Sequence, residues 1–305
     1  MGSAPDVPAI ATRGLTKRFG RITAVKSLDL TVEQGLVFGF LGLNGAGKTT
    51  TIRLLLDLLR PSSGRAAILG HDCRTDGLAA RALVGYLPGE IGLYRDMTGR
   101  QVLDFLSRLS RVPPGRPWQR DLLDRFELRD ADLGRTLREY STGMKRKLAI
   151  VQAFQADPSV LILDEPTEGL DPLMQEVFYA LLRDVRKRGR TVFLSSHVLS
   201  EVERVCDQIA VLREGELALS ASVSEVRHLA PRAVRVTFRE PVTGPAGGFD
   251  RSIQVTSVAA QQWMLNVQGP LGPLMSLLDG LPVADLEVRE PRLEDVVIGY
   301  YRGTP

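Results

Sequence analysis

Lys48, Thr49, Asp164, Glu165 and His197 are the residues whose types and settings point to chemistry on phosphate. Lys48 and Thr49 close the run Gly42-Leu43-Asn44-Gly45-Ala46-Gly47-Lys48-Thr49, which has the spacing G-x-x-x-x-G-K-[ST] of a phosphate-binding loop. Gly42, Gly45 and Gly47 permit backbone angles that side chains forbid, so N–H groups can turn inward around a polyphosphate. The start of the following helix adds partial positive charge and unpaired donors. Lys48 can reach β- and γ-phosphates, and Thr49 can offer its hydroxyl to Mg²⁺. Asp164 and Glu165 end the apolar run Val160-Leu161-Ile162-Leu163. In that setting the first acid holds Mg²⁺ through its water shell, and the second is the general base for an attacking water. His197 follows the run Thr191-Val192-Phe193-Leu194-Ser195-Ser196. A histidine at such a strand end can donate to a γ-phosphate oxygen and orient the water. Phe19, in a Phe-Gly turn, offers a π-face to a base; read alone it is a half-buried turn residue.

These side chains need strands that stop at a common edge. Val37 to Leu41 reads as a strand feeding the glycine loop, and Ile52-Arg53-Leu54-Leu55-Leu56 as the helix behind it. Leu28, Leu30 and Val32 alternate as in a half-buried strand. Further strands are read at Ala66–Gly70, Leu83–Leu87, Val160–Leu163 and Thr191–Ser195, with a hairpin over Gln208–Leu219. From Thr98 to Ala156 the pattern is helical. One predicted core face holds Val102, Phe105, Leu106 and Leu109, and a second holds Leu122, Leu123 and Phe126, with Pro113-Pro114-Gly115 between them. A helix from Lys145 to Ala156 stops at Asp157-Pro158.

Composition narrows the setting. A chain of 305 residues suits about two domains. Lys plus Arg number 39 against 36 Asp plus Glu, a balance that gives no general argument for nucleic acid, and no nucleic-acid partner is expected. Cys73 and Cys206 lack metal-ligand spacing and read as reduced structural thiols. The first residues lack the basic and apolar regions of a signal peptide. No apolar run approaches the roughly 18–20 residues that span a bilayer.

The order of these features resembles the ATP-binding-cassette ATPases over about Ile10 to Leu219. The resemblance implies an α/β fold: a P-loop NTPase core with an antiparallel β subdomain and a helical insertion, plus a small C-terminal α+β domain. The ATP-binding domain is expected over 8–219, with its helical subdomain at about 92–158, and an accessory or dimerisation domain over 220–305. Carried over by residue, Phe19 resembles the adenine-stacking aromatic. Gly42, Asn44, Gly45, Ala46, Gly47, Lys48, Thr49 and Thr50 resemble the phosphate-binding segment. Ser141-Thr142-Gly143-Met144 is similar to the family signature Ser-Gly-Gly-Gln, with Ser141 and Gly143 retained to touch the γ-phosphate. Asp164 and Glu165 match the Walker B pair, Asp171 the D-loop acid and His197 the switch histidine. The family's Q-loop glutamine, which senses Mg²⁺ and water and couples to the membrane subunit, falls at Gly89; its contact is either lost or remade by Glu90. Lys145, Arg146 and Lys147 read as a solvated face, the alternative being cations that help draw in nucleotide.

The family signature acts in trans, so a single cassette implies a second copy of itself or a homologous subunit. After Ser220 the chain reads as a short helical link, with His228 as a surface residue. Strands follow at 233–238, 262–267 and 283–289, and helices at 272–278 and 292–301, with no catalytic cluster. The tail Pro291-Arg292-Leu293-Glu294-Asp295-Val296-Val297 resembles that of single-cassette subunits in the drug- and antibiotic-exporter branch. The implied function is ATP hydrolysis, with Mg²⁺, powering drug or antibiotic efflux through a separately encoded transmembrane permease. Its expected place is the cytoplasmic face of the plasma membrane. The alternatives are a cassette ATPase acting on ribosomes or DNA, a nucleotide-binding regulator without turnover, and export of lipid, polysaccharide or ions.

Overall fold

A computed structural model describes residues 7–92, 94–110, 116–229, 231–243, 248–289 and 291–302. The Pro113-Pro114-Gly115 break and the side chain of His228 lie outside the described residues. The chain divides into two compact units, Met1–Ser220 and Ala221–Pro305.

In the first unit, β1 (Ile10–Phe19) and β2 (Ile22–Val32) pair antiparallel from Ile10↔Val32 to Phe19↔Ile22. Leu28, Leu30 and Val32 point inward by the two-residue period of a strand. β3 (Val37–Leu41), buried at every position, runs into α1 (Lys48–Leu55). β4 (Ser63–Ile68) and β5 (His71–Asp72) complete a four-stranded sheet in the order β2-β1-β4-β5. α2 (Gly77–Ala82) leads to β6 (Val84–Leu87).

The helical insertion comprises α3 (Gly99–Leu109), α4 (Pro117–Arg125), α5 (Asp130–Leu133) and α6 (Thr142–Phe154). A capping box of Thr98 and Gln101 starts α3. The buried face of α3 is Val102, Leu103 and Ser107, whereas Phe105 and Leu109 are exposed, which corrects the predicted stripe. On the buried face the Ser107 hydroxyl donates to buried Gln155 Oε1 at 3.2 Å beside Val102 and Leu103, and on the outer face Phe105 lies edge-on to Tyr94. Leu122 and Phe126 are buried as their spacing predicts.

β7 (Val160–Asp164), α7 (Pro172–Lys187), β8 (Thr191–Ser196), α8 (Leu199–Val205), β9 (Gln208–Arg213) and β10 (Glu216–Ser222) complete a six-stranded sheet in the order β10-β9-β3-β8-β7-β6. The pairs β3–β8, β3–β9, β6–β7 and β7–β8 are parallel. Parallel strands covered on both faces read as continuous apolar runs, as β3, β7 and β8 do. Phe38 and Phe40 pack against Phe193 at ring distances of 5.8 and 5.1 Å. The register sets Leu41 opposite Ser196 and Asp164 opposite Ser195, so three strands end at one level.

In the second unit α9 (Val223–Leu229) precedes β11 (Arg232–Phe238), β12 (Ile253–Ala259), β13 (Gln262–Val267), α10 (Gly272–Leu278), β14 (Val283–Arg289) and α11 (Leu293–Arg302). The sheet order is β12-β13-β11-β14, antiparallel throughout. Its core is Val234, Val236, Phe238, Leu265, Val267 and Trp263, with Leu274 of α10. β12 has no counterpart in the sequence reading. It is an edge strand exposed at every position after Ile253, so it lacks the alternation that marks a half-buried strand.

Candidate active site

The loop between β3 and α1 is glycine-rich because neighbouring backbone leaves no room. Gly47 has φ 108°, and a Cβ there would lie 2.4 Å from the Ala24 carbonyl oxygen. A Cβ on Gly42 would lie 2.7 Å from the Leu212 oxygen. The Ala46 N–H donates to the Leu43 oxygen and the Gly215 N–H to the Ala46 oxygen, each at 3.0 Å. Leu43, Asn44 and Gly45 are exposed, Ala46 is buried and Thr50 is half-buried. Lys48 is 6% exposed; its Nζ donates to the Gly42 oxygen at 2.5 Å and stands 3.5 Å from Glu165 Oε1. The exposed Thr49 donates through Oγ1 to Asp164 Oδ2 at 3.0 Å.

Asp164, the last residue of β7, is 3% exposed, and both its oxygens have partners. Oδ2 accepts from Thr49, and Oδ1 accepts from the Ser195 hydroxyl at 2.5 Å. Ser195 Oγ also accepts from the Glu165 N–H at 3.1 Å. Sequence reasoning treated Ser195 as an ordinary strand residue. Its signal was a hydroxyl within a fully buried strand, where an unpartnered hydroxyl is costly. Glu165 has φ 47°, a left-handed angle that non-glycine residues avoid. That turn takes its carboxylate off the strand axis, with Oε1 toward Lys48 and Oε2 2.9 Å from His197 Nδ1. A carboxylate only accepts, so Nδ1 carries the hydrogen and Nε2 stays free for another group. Burial, and after it the Asp164 charge, raises the pKa of Tyr86 on β6.

Gly89 stands beside the same carboxylate, since a Cβ added there would lie 3.5 Å from Asp164 Oδ2, an ordinary contact. Glu90 is exposed. Arg146 corrects the expected solvated face: it is only 4% exposed. Its Nε donates to the Glu168 oxygen at 2.8 Å, Nη1 to the Pro88 oxygen at 3.2 Å and Nη2 to the Gly89 oxygen at 2.9 Å. Carbonyls from two turns converge on this point and need a donor that far along α6. Burial lowers the Arg146 pKa, opposed by the charges of Glu168, Asp164 and Glu165.

Ser141, Gly143 and Asp171 form a second group. Ser141 caps α6, accepting from the Met144 N–H at 3.2 Å, and is exposed. Gly143 lies against Gly169, whose oxygen would be 3.4 Å from an added Cβ. Asp171 caps α7, accepting from the Met174 N–H at 2.9 Å. Among the described residues no hydrogen bond joins this group to Lys48, Thr49, Asp164 or Glu165. Phe19, at the end of β1, is 46% exposed, with Lys17 Nζ 4.9 Å above its ring.

A parallel sheet that presents a glycine loop with a buried lysine, two carboxylates and a histidine at one edge defines a P-loop ATPase. The sequence profile of the ABC transporter family matches residues 25–168. The chain is 35% identical over 303 residues to the daunorubicin resistance ATP-binding protein DrrA3 of Streptomyces coeruleorubidus, covering 95% of each chain. It is 32% identical over 310 residues to the Nod factor export ATP-binding protein I of Burkholderia orbicola (strain AU 1054), covering 96% of this chain and 97% of that one. A solved ATP-binding subunit of an ABC transporter superposes with a TM-score of 0.68 at 28% identity, over 72% of this chain and 92% of that one. The chain belongs to the ABC transporter family, as an ATP-binding and ATP-hydrolysing subunit. Among the described residues no helix is long and apolar enough to cross a membrane.

Proposed function

We propose that this chain powers efflux of drugs or antibiotics through a separately encoded transmembrane permease, working as a pair of cassettes at the cytoplasmic face of the plasma membrane. In this reading the backbone from Gly42 to Thr50 and the Lys48 ammonium hold the phosphates of ATP, and Phe19 stacks on adenine. Glu165 accepts a proton from the attacking water, and His197, in the form that carries a hydrogen on both ring nitrogens, offers Nε2–H to the γ-phosphate. The carrying observation is the Glu165 carboxylate, held 3.5 Å from Lys48 and 2.9 Å from His197 by a left-handed turn at the strand end. The lysine and histidine thereby flank the base from the phosphate side and the solvent side.

The donor set suits Mg²⁺, a hard cation that takes oxygen ligands and keeps several waters. Thr49 Oγ1 and Asp164 Oδ2 lie 3.0 Å apart and would hold it; bound there, it supplies neutralising charge to the β- and γ-phosphate oxygens. Pairing of two cassettes is supported by the lack, among the described residues, of any hydrogen bond from Ser141, Gly143 or Asp171 to Lys48, Thr49, Asp164 or Glu165. Ser141 is exposed and can cap the nucleotide of a second copy or of a homologous subunit. The likeness to a daunorubicin resistance protein and a Nod factor export protein covers 95% and 96% of this chain and so extends into residues 220–305, which serve an accessory or dimerisation role in this reading. Residues 8–219 are the ATP-binding domain in this reading, with the helical subdomain at about 92–158.

Glu165→Gln tests the assignment. The variant should bind ATP, accumulate a dimer on size exclusion with ATP and Mg²⁺, and lose turnover by about 10²-fold or more, the scale of a general base. A normal steady-state rate would remove Glu165 from this role.

A further inference from the structure

Arg146 is more deeply buried than Lys48, at 4% against 6% exposure. A buried guanidinium is costly unless its donors are taken. Here the donors go to main-chain oxygens: Pro88 and Gly89 in the turn after β6, and Glu168 in the turn after β7. The carboxylate in reach, Glu168 Oε2, is 3.8 Å away on a side chain that is 70% exposed, so the site is a backbone clamp more than an ion pair. The planar fork of arginine suits this, because its donors diverge at fixed angles that an ammonium does not reproduce.

The two clamped turns flank the reacting carboxylates. Gly89 lies against the carboxylate of Asp164, and Glu168 follows Glu165 by three residues, its N–H donating to the Glu165 oxygen at 3.3 Å. Arg146 itself rides on α6, whose first turn carries Ser141 and Gly143. Arg146 therefore links that helix to both turns through one side chain. Gly89 has no side chain of its own to make such a link. We propose that Arg146 is a positioning residue that ties the Ser141–Gly143 end of α6 to the geometry of Asp164 and Glu165. This rests on the roles assigned above to those two acids.

The test uses the full chain and compares Arg146→Lys, which keeps the stem and charge, with Arg146→Met, which keeps only the stem. Turnover, the KM for ATP, thermal unfolding and amide exchange at residues 89–90 and 167–169 are measured. Arg146→Lys should lower kcat about tenfold and Arg146→Met further, with KM for ATP within about twofold of wild type. Exchange should quicken in those two turns and not elsewhere. Wild-type kcat in Arg146→Lys with unchanged exchange in the turns overturns the proposal, and so does a loss that merely follows the folded fraction with exchange raised throughout. If Arg146→Met does not fold, Arg146→Lys alone decides. A wild-type protein without Mg²⁺-dependent turnover would sink the roles of Asp164 and Glu165, while local exchange in Arg146→Lys would still judge the clamp.

Discussion

The two units bury different kinds of residue. The first buries Lys48, Arg146, Asp164, Thr191, Ser195 and Ser196 beside its apolar core. In the second, among the described residues, every buried residue is apolar, and the largest is Trp263. Buried polar groups cost free energy unless they are partnered. The first unit meets this with a chain of partners: Thr49 and Ser195 on Asp164, Lys48 and His197 on Glu165, and carbonyl oxygens on Arg146. The buried charged side chains Lys48, Arg146 and Asp164 are confined to the first unit, and among the described residues the second unit buries none.

The sharpest break of this comparison is Trp263→Ala. The indole is fully buried, with the Phe238 and Phe249 rings edge-on at 4.7 and 5.4 Å. Truncation should lower the stability of the second unit by about 3–5 kcal/mol and leave the first unit's transition in place, as calorimetry of the full chain would read. A joint shift of both transitions would end the description of two separate cores.

Ser195→Ala sharpens the other side. It strips a partner from Asp164 Oδ1 and from the Glu165 N–H. The expected result is a fall in kcat of about tenfold with ATP affinity nearly unchanged. A wild-type rate would mean that Asp164 is held well enough by Thr49 alone.

The smallest effect concerns the cysteines. Burial pushes the Cys73 thiol up to about 12 and raises Cys206 well above the ordinary thiol range. Each deprotonates only at a pH above that of a free thiol, so the native protein at pH 8 holds thiols and no reactive thiolate. Iodoacetamide should label neither until denaturant is added, as mass spectrometry would show. Native labelling would reveal a core that opens.

Much of the site was legible because its signals are local. The spacing from Gly42 to Thr49, the acids ending an apolar run and the histidine after β8 are each contained in a short stretch. Arg146 was not legible. A run of Lys-Arg-Lys looks the same on a solvated face as on a buried one, and the carbonyls that bury it lie 57 and 58 residues away. Ser195 was missed for a similar reason, since its partner Asp164 is 31 residues distant. On α3 the periodicity predicted a helix correctly and its face only in part, because the buried face includes the polar Ser107, bonded to Gln155, which an apolar pattern does not register.

By itself, the sequence determined the glycine loop, the strand-end acids and the order of elements, because these depend on residue type and on spacing within a turn or a strand. Only the tertiary structure decided which side chains meet. The parallel register that sets Asp164 opposite Ser195 brings distant residues to one edge, and the left-handed turn at Glu165 aims its carboxylate between Lys48 and His197. Contacts of that kind depend on how strands align and what room their neighbours leave, and no local pattern carries either.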